Sequence, residues 1–127
     1  MGHNGHNRTV GRSGEDLACR ILMENGHTIL ERNFRSGRLE IDIISMDRNG
    51  IHFVEVKSRV FPMEARPEEN VTRSKQRKVA DAARRYLSTH GRPFADDMEC
   101  HFDVISVRFG EQDTETEYFP DAFIPGL

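Results

Sequence analysis

Two acidic residues and a lysine interrupt two runs of otherwise apolar, strand-forming residues. Asp42 lies within "EIDIISM", and Glu55 and Lys57 lie within "IHFVEVK". Charge is costly to bury among β-branched residues, so these side chains call for a specific partner. Facing side chains of an antiparallel strand pair lie about 5 Å apart, so two carboxylates can bind one divalent cation. The residue types therefore predict a Mg²⁺ or Mn²⁺ site formed by Asp42 and Glu55.

The chemistry that suits such a site is phosphodiester hydrolysis. The metal would activate the phosphoryl group and an attacking water, and the Lys57 ammonium would stabilise the developing negative charge. A plainer interpretation is an exposed ion pair of small energetic value between Glu55 and Lys57. An acid-x-Lys triplet is expected roughly once in a chain of this length. The nuclease interpretation therefore depends on Asp42 lying on the neighbouring strand.

The two runs are predicted to pair as an antiparallel hairpin. They are joined by "DRNG", whose Asn-Gly step is a strong turn signal. Side chains alternate along a strand, so Asp42 shares one face with Glu40, while Ile41 and Ile43 are expected on the other. The same alternation puts both charged residues of the second run on one face. The hairpin would thus bring the two acids together.

The remaining elements frame this hairpin in an α/β domain. A capping box at Ser13 and Asp16 predicts the start of an amphipathic helix. Apolar residues at helical spacing predict a second helix at about residues 74–89. With "TILERNF" and "HFDVISVRF" as further strands, the predicted order is αβββαβ, a layered α/β sandwich. Residues 1–12 are predicted to be a flexible N-terminal tail, residues 13–127 one domain, and residues 58–72 a mobile loop.

Two polar residues on the helices are further candidates for the site. Glu15 lies near the inward stripe of the first helix, and Gln76 precedes the apolar stripe of the second. Each has a structural alternative. Glu15 could favour a helix N-terminus through the helix dipole, and Gln76 could cap a first turn.

Charge is distributed unevenly along the chain. The net charge is −3, but residues 73–85 carry six basic residues and one acid, whereas residues 96–127 carry nine acids and one arginine. A basic segment attracts phosphate, although a solvated helix face can have the same composition. The residues predicted to bind nucleic acid are Arg35, Arg38, Lys75, Arg77 and Lys78.

Other sequence features narrow the class of protein. The sequence shows neither a long apolar run nor a signal-peptide pattern, which favours a cytoplasmic protein that does not bind a membrane. The six histidines show no spacing typical of a zinc site. Cys19 and Cys100 form no CxxC motif and are expected to be reduced.

The chain resembles the YraN-like predicted endonucleases of the restriction-endonuclease-like PD-(D/E)xK superfamily, which are similar to archaeal Holliday-junction resolvases. The matching stretches are "GRSGEDLACRILMENGHTILERNFR", "EIDII", "FVEVKSR", "SKQRKVADAARRYL", "FDVISV" and "DAF". The resemblance implies an αβββαβ core with Asp42, Glu55 and Lys57 at the superfamily's metal and catalytic positions. It also implies that Glu15 is an acid at the site and that Gln76 lies beside it.

Three functions are compatible with these features. The favoured one is a magnesium-dependent endonuclease acting on branched or otherwise structured DNA. The alternatives are a non-catalytic nucleic-acid-binding or adaptor module that retains the fold, and a structural module that the net negative charge alone favours. The intact set of Asp42, Glu55 and Lys57 favours the enzyme. Resolution of a junction needs two cuts, which would favour a symmetric homodimer.

Overall fold

Five strands and two helices form an α/β structure around one mixed sheet. The computed structural model describes residues 3–60, 71–90 and 98–124. The elements are α1 (His3–Glu24), β1 (Thr28–Ser36), β2 (Leu39–Asp47), β3 (Gly50–Val60), α2 (Arg73–His90), β4 (Cys100–Phe109) and β5 (Thr114–Phe119). The predicted αβββαβ order is confirmed, and β5 is an additional strand. Of the loop predicted at residues 58–72, residues 58–60 belong to β3, and residues 61–70 lie outside the described residues.

The start of the first helix differs from the prediction. The helix α1 begins at His3, and Ser13 is an exposed residue within it. Because the preceding residues are already helical, the backbone amides that Ser13 would have capped lie inside the helix. The predicted start of the helix at Ser13 is therefore wrong, and the division into a tail at residues 1–12 and a domain at residues 13–127 stays a prediction.

The strands follow sequence order across the sheet. The spatial order is β1-β2-β3-β4-β5, and β3 and β4 pair in parallel while the other neighbours are antiparallel. A parallel pair needs a long crossover, which includes α2. This topology makes β2 and β3 neighbouring strands in the interior of the sheet.

Two apolar clusters cover the two faces of the sheet. Ala18 and Leu22 of α1 belong to one cluster, together with Val54 of β3. Val79 and Tyr86 of α2 belong to the other, together with Phe53, the residue directly before Val54. Consecutive strand residues face opposite sides, so the helices lie on opposite faces. The sheet is thus buried between α1 and α2.

The predicted β2–β3 hairpin is confirmed. Asp47 pairs with Gly50, and the turn consists of Arg48 and Asn49. The φ angle of Gly50 is 139°, and a Cβ atom there would overlap the Glu99 backbone. Only glycine adopts this conformation without strain. Position 50 therefore fixes where the hairpin turns.

The two edges of the sheet are β1 and β5. β5 was not among the predicted strands. Residues 114–117 of β5 are exposed, including Glu115 and Glu117. A strand with no buried face in this stretch lacks the apolar alternation by which strands are recognised.

Neither described helix is long and apolar enough to cross a membrane.

Candidate functional site

A cleft of about 320 Å³ lies at the end of the β2–β3 hairpin that is distant from its turn. The cleft contains the predicted pair Asp42 and Glu55, together with Lys57 and Glu15. The remaining described residues that line it are Gly11, Val56, Ser58 and Arg59. Strands β2 and β3 and the middle of α1 therefore bring four of the predicted site residues into one cleft.

Asp42 lies where the pairing of β2 with β3 ends. The last paired residues are Ile43 and Val54, and beyond them the Val56 backbone amide donates a hydrogen bond of 2.8 Å to Oδ2 of Asp42. The side chain thus satisfies a backbone donor beyond the last strand pair. This contact fixes the carboxylate beside β3.

The predicted alternation of side chains fails on β2 next to Asp42. Ile41 packs in the cluster beneath α2, whereas Ile43 packs in the cluster beneath α1, so the two do not share a face. On β1, Asn33 lies between the partners of these two isoleucines and has a φ angle of 55°. Asparagine tolerates this left-handed conformation better than most residues. We infer that the irregularity at Asn33 reverses the order in which side chains beside Asp42 point to the two faces of the sheet.

Burial and mutual repulsion disfavour ionisation of the two acids. The pKa of Asp42 is raised to about 7, first by burial and then by the charge of Glu55. Burial also raises the pKa of Glu55, although Lys75, whose Nζ lies 3.4 Å from Oε2, and Lys57 oppose the shift. Two carboxylates in this state gain from a shared cation, because it offsets both the lost hydration and the repulsion.

Glu15 is held at the cleft by contacts from β1. Asn33 donates a side-chain hydrogen bond of 3.1 Å to Oε1 of Glu15, and the Arg32 guanidinium lies 3.6 Å from the same oxygen. The neighbouring Gly14 is buried, and a Cβ atom there would overlap the side chain of Ser58. Glycine therefore permits the close approach of α1 to β3 that brings Glu15 to the cleft.

Gln76 is not among the described residues that line the cleft. Its side-chain amide donates a hydrogen bond of 2.9 Å to the Val71 carbonyl, just before α2 begins. This contact agrees with the alternative interpretation, in which Gln76 stabilises the start of the helix. Its role in a site stays a prediction.

The predicted nucleic-acid-binding residues lie on two elements. Arg77 and Lys78 are exposed on α2, while Lys75 is half-buried and pairs with Glu55 of the cleft. Arg35 and Arg38 are exposed beside the β1–β2 turn, and Arg35 lies 3.8 Å from a carboxylate oxygen of Glu40. Arg85 of α2 donates hydrogen bonds of 3.3 Å to Ser36, which connects this turn to the basic helix.

A second polar group, at the turn end of the hairpin, was not predicted. His27, Asp47 and His52 each offer a ligand atom within 4.8 Å of the others, so the group could bind a metal ion. His27 follows α1, whose end is fixed by Gly26 with a φ angle of 88° and by a 3.0 Å hydrogen bond from the His27 amide to the Leu22 carbonyl. This is the Schellman arrangement for ending a helix. The group could not be predicted from spacing because His27, after α1, lies far in sequence from Asp47 at the end of β2 and His52 near the start of β3.

Hydrogen bonds connect this group to β4 and β5. Asp103 is fully buried, and its pKa is lowered because hydrogen bonds from His52, Tyr118 and the Asp121 amide outweigh the effect of burial. Burial lowers the pKa of His52, but its contacts with Asp103 and Asp47 outweigh this effect and raise it. Burial and the charge of His52 lower the pKa of His27. The buried Asp103 carboxylate is therefore held by contacts with His52, Tyr118 and the Asp121 amide.

Fold and site together define a small mixed α/β domain with an acidic cleft at its central strands. The model of "Uncharacterised protein family UPF0102" matches residues 14–107, and the chain belongs to this family. It is 45% identical to a UPF0102 protein of Chlorobium phaeobacteroides over 98 residues, covering 77% of this chain and 75% of the relative. It is 41% identical to one of Geobacter metallireducens over 118 residues, covering 93% and 94%. The identity to one of Clostridium perfringens is 38% over 120 residues, covering 93% and 96%.

Proposed function

We propose that this protein is a divalent-metal-dependent endonuclease that hydrolyses phosphodiester bonds of branched or otherwise structured DNA. The observation that carries the proposal is the convergence of Asp42, Glu55 and Lys57 in one cleft, with Glu15 at its wall. Two carboxylates and an ammonium form the group that phosphodiester hydrolysis requires, because they can bind a metal and stabilise developing charge. The resemblance to PD-(D/E)xK nucleases supports the same assignment.

The donor set fits Mg²⁺ or Mn²⁺. Asp42 and Glu55 supply carboxylate oxygens, the ligands that these hard cations prefer. Their raised pKa values fit the same interpretation, since a divalent cation favours the ionised form of both acids. When bound, the cation supplies Lewis-acid activation of the scissile phosphate and of the attacking water.

Residues in and beside the cleft would stabilise the developing charge and orient the acids that line it. Lys57 would hold its ammonium against the phosphate oxygens as negative charge develops on them. The hydrogen bond from the Val56 amide keeps Asp42 oriented towards the cleft. Asn33 and Arg32 do the same for Glu15 from β1.

The basic residues outside the cleft would hold the DNA backbone. Arg77 and Lys78 on α2 and Arg35 and Arg38 beside the β1–β2 turn are exposed. The most acidic part of the chain, by contrast, follows α2 in sequence and includes the far sheet edge β5. Cations concentrated on one side bind phosphate and release counterions. Two coordinated cuts in a junction would require a homodimer, which we include in the proposal.

A cleavage panel tests the proposal. Purified protein would be incubated with a four-way junction, a flap, a nicked duplex, a linear duplex and a single strand, in Mg²⁺ or Mn²⁺. We expect metal-dependent cleavage of the branched substrates by the native protein. Asp42→Asn should abolish it, because an amide supplies one neutral oxygen in place of a carboxylate. Asp81→Asn, on the exposed surface of α2, is the matched control and should cleave normally.

Two results would decide against an enzyme. If the native protein binds the DNA probes but cuts none with either ion, the chain is better described as a nucleic-acid-binding module. If it cuts but Asp42→Asn cuts equally well, the reaction occurs elsewhere or belongs to a contaminant. The mass of the protein–DNA complex, measured by light scattering, tests the homodimer.

A further inference from the structure

We propose that His27, Asp47 and His52 form a zinc site, separate from the acidic cleft and independent of the proposed nuclease function. Nε2 of His27, Nε2 of His52 and a carboxylate oxygen of Asp47 would be the three protein ligands. Two imidazoles and one carboxylate are a common zinc set in proteins, whereas magnesium prefers oxygen ligands alone. The fourth position would be open to water.

The spacing of the donor atoms suits a small cation. Nε2 of His52 lies 2.8 Å from Oδ1 of Asp47, and Nε2 of His27 lies 3.4 Å from Oδ2. Zinc bonds of about 2.0–2.2 Å put neighbouring ligand atoms of a tetrahedral site roughly 3.3 Å apart. The two distances involve different oxygens of Asp47 and lie on either side of this value, and one donor atom from each of the three residues lies within 4.8 Å of the others. Small side-chain movements would therefore be enough to admit the ion.

The other nitrogen of each imidazole already has a partner. Nδ1 of His52 lies 2.7 Å from Oδ2 of Asp103, and Nδ1 of His27 lies 2.9 Å from Oγ of Ser45. A histidine that binds a metal usually donates its second N–H to a carboxylate or another oxygen, which fixes the tautomer and aims the free nitrogen. Asp103 and Ser45 supply these oxygens. Asp103 is in turn held by Tyr118 at 2.6 Å and by the Asp121 amide at 2.9 Å.

A cavity of about 280 Å³ gives access to the group. His27, Asp47 and His52 all line it, together with polar residues from β4 and the end of β5. A space of this size admits a hydrated ion and leaves room for water at the fourth position. The two histidines are nevertheless only 7% and 5% exposed, so the site is sheltered enough to hold its geometry.

The ion would join three parts of the fold. His27 lies just beyond α1, Asp47 ends β2, and His52 is near the start of β3. A ligand that binds only the folded chain stabilises it by mass action. Zinc would thus anchor the end of α1 to the turn of the hairpin. Its removal should lower the melting temperature without affecting the ligands of the acidic cleft.

Cobalt and zinc titrations of the full-length protein test the proposal. After chelation and dialysis, Co²⁺ should produce the intense visible absorption of four-coordinate cobalt, and Zn²⁺ should displace it. Zinc should also raise the melting temperature, whereas Mg²⁺ should not reproduce the shift.

Asp47→Asn should weaken zinc binding at least about tenfold, and Asp103→Asn about 10-fold to 100-fold by releasing the His52 ring. Circular dichroism would establish that each variant is folded.

Three controls separate this site from other binding. His3→Asn/His6→Asn removes the two histidines that lie close together in sequence, Asp42→Asn alters the acidic cleft, and Glu99→Gln alters an exposed acid that lines the cavity. All three should bind zinc like the native protein. The proposal is wrong if native protein lacks the four-coordinate cobalt spectrum. It is equally wrong if folded Asp47→Asn retains native affinity, or if the His3/His6 variant loses it.

Discussion

The two ends of the β2–β3 hairpin carry polar groups of opposite character. At the open end, Asp42 and Glu55 lie where the strands cease to pair, and burial raises the pKa of both. At the turn end, hydrogen bonds to His52 outweigh burial and lower the pKa of Asp47. Asp42 and Asp47 are both aspartates of β2, five positions apart, yet the pKa of the first is raised and the pKa of the second is lowered.

The difference shows what partners do for a buried carboxylate. Asp47 has a histidine at 2.8 Å, and its Oδ1 also accepts a hydrogen bond of 2.9 Å from the Asn49 amide. Asp42 accepts one described hydrogen bond, from the Val56 amide, and has another acid as neighbour. A carboxylate without compensating cations or donors lowers stability, and sites of this kind are kept for function. The contrast fits our proposal that the open end is the reactive one, whereas the contacts at the turn end stabilise the fold.

The largest difference between the two ends should appear in catalysis. Lys57→Ala removes the ammonium of the cleft but leaves both acids and the basic helix, so we expect cleavage of a branched substrate to fall about 100-fold or more. DNA binding should change little. Lys78→Ala, an exposed lysine of α2, is the control for loss of one positive charge. Single-turnover rates at saturating protein measure the effect, and equal rates for both variants would contradict a catalytic role for Lys57.

Charge reversal should separate the two ends in binding. Arg77→Glu/Lys78→Glu should weaken binding to every DNA shape about tenfold or more and reduce the salt dependence, because phosphate contacts are lost. Arg20→Glu/Arg48→Glu makes the same charge change at exposed positions on α1 and in the hairpin turn. It should have a much smaller effect. Fluorescence anisotropy over a range of salt concentrations compares the variants, and a reversed order would move the interface to the turn end.

Asn33 should affect the open end alone. Asn33→Val forces a β-branched residue into a left-handed conformation and removes the hydrogen bond to Glu15, so we expect a loss of about 1–2 kcal/mol in the free energy of unfolding. Asn33→Gly keeps the conformation and loses only the hydrogen bond, so its loss should be smaller. Urea denaturation measures both. Equal losses would show that the left-handed backbone is not the reason for asparagine here.

The smallest predicted effects have opposite signs at the two ends. The raised pKa of Asp42, about 7, means that its contribution to stability is lost as pH rises through 7. In chelator, the stability of Asp42→Asn relative to the native protein should therefore rise by about 1 kcal/mol or more between pH 5 and pH 8. The lowered pKa of Asp47 means that its ionised form stabilises the fold above its ordinary pKa. At pH 8, Asp47→Asn should be less stable than the native protein. Thermal unfolding at the two pH values measures both variants, and the contrast is wrong if both substitutions change stability in the same direction.

Local sequence signals predicted most of the fold and four residues of the cleft. The hairpin followed from its turn residues, and Asp42 and Glu55 were conspicuous because they interrupt apolar strands. The second helix, predicted at about residues 74–89, is observed as Arg73–His90. These features depend on neighbours in sequence, which is why periodicity and turn chemistry detect them.

Features that depend on distant residues could not be predicted in this way. Ile41 and Ile43 lie on opposite faces of the sheet, which we attribute to the left-handed Asn33 on the neighbouring strand. Alternation counted along β2 alone cannot detect this change. The His27 group needs the end of α1, both sides of the hairpin turn and Asp103 of β4 to come together. An asparagine within a strand pattern is the one sequence signal that could have drawn attention to the irregularity.

The exposed strand β5 also affects the tendency of this protein to aggregate. A strand at the border of a sheet has unpaired backbone groups that could extend into a neighbouring molecule and begin an aggregate. Glu115 and Glu117 are solvent-exposed on this strand, so a second β5 approaching it would bring like charges together. The two glutamates therefore disfavour extension of the sheet by pairing of two copies through β5.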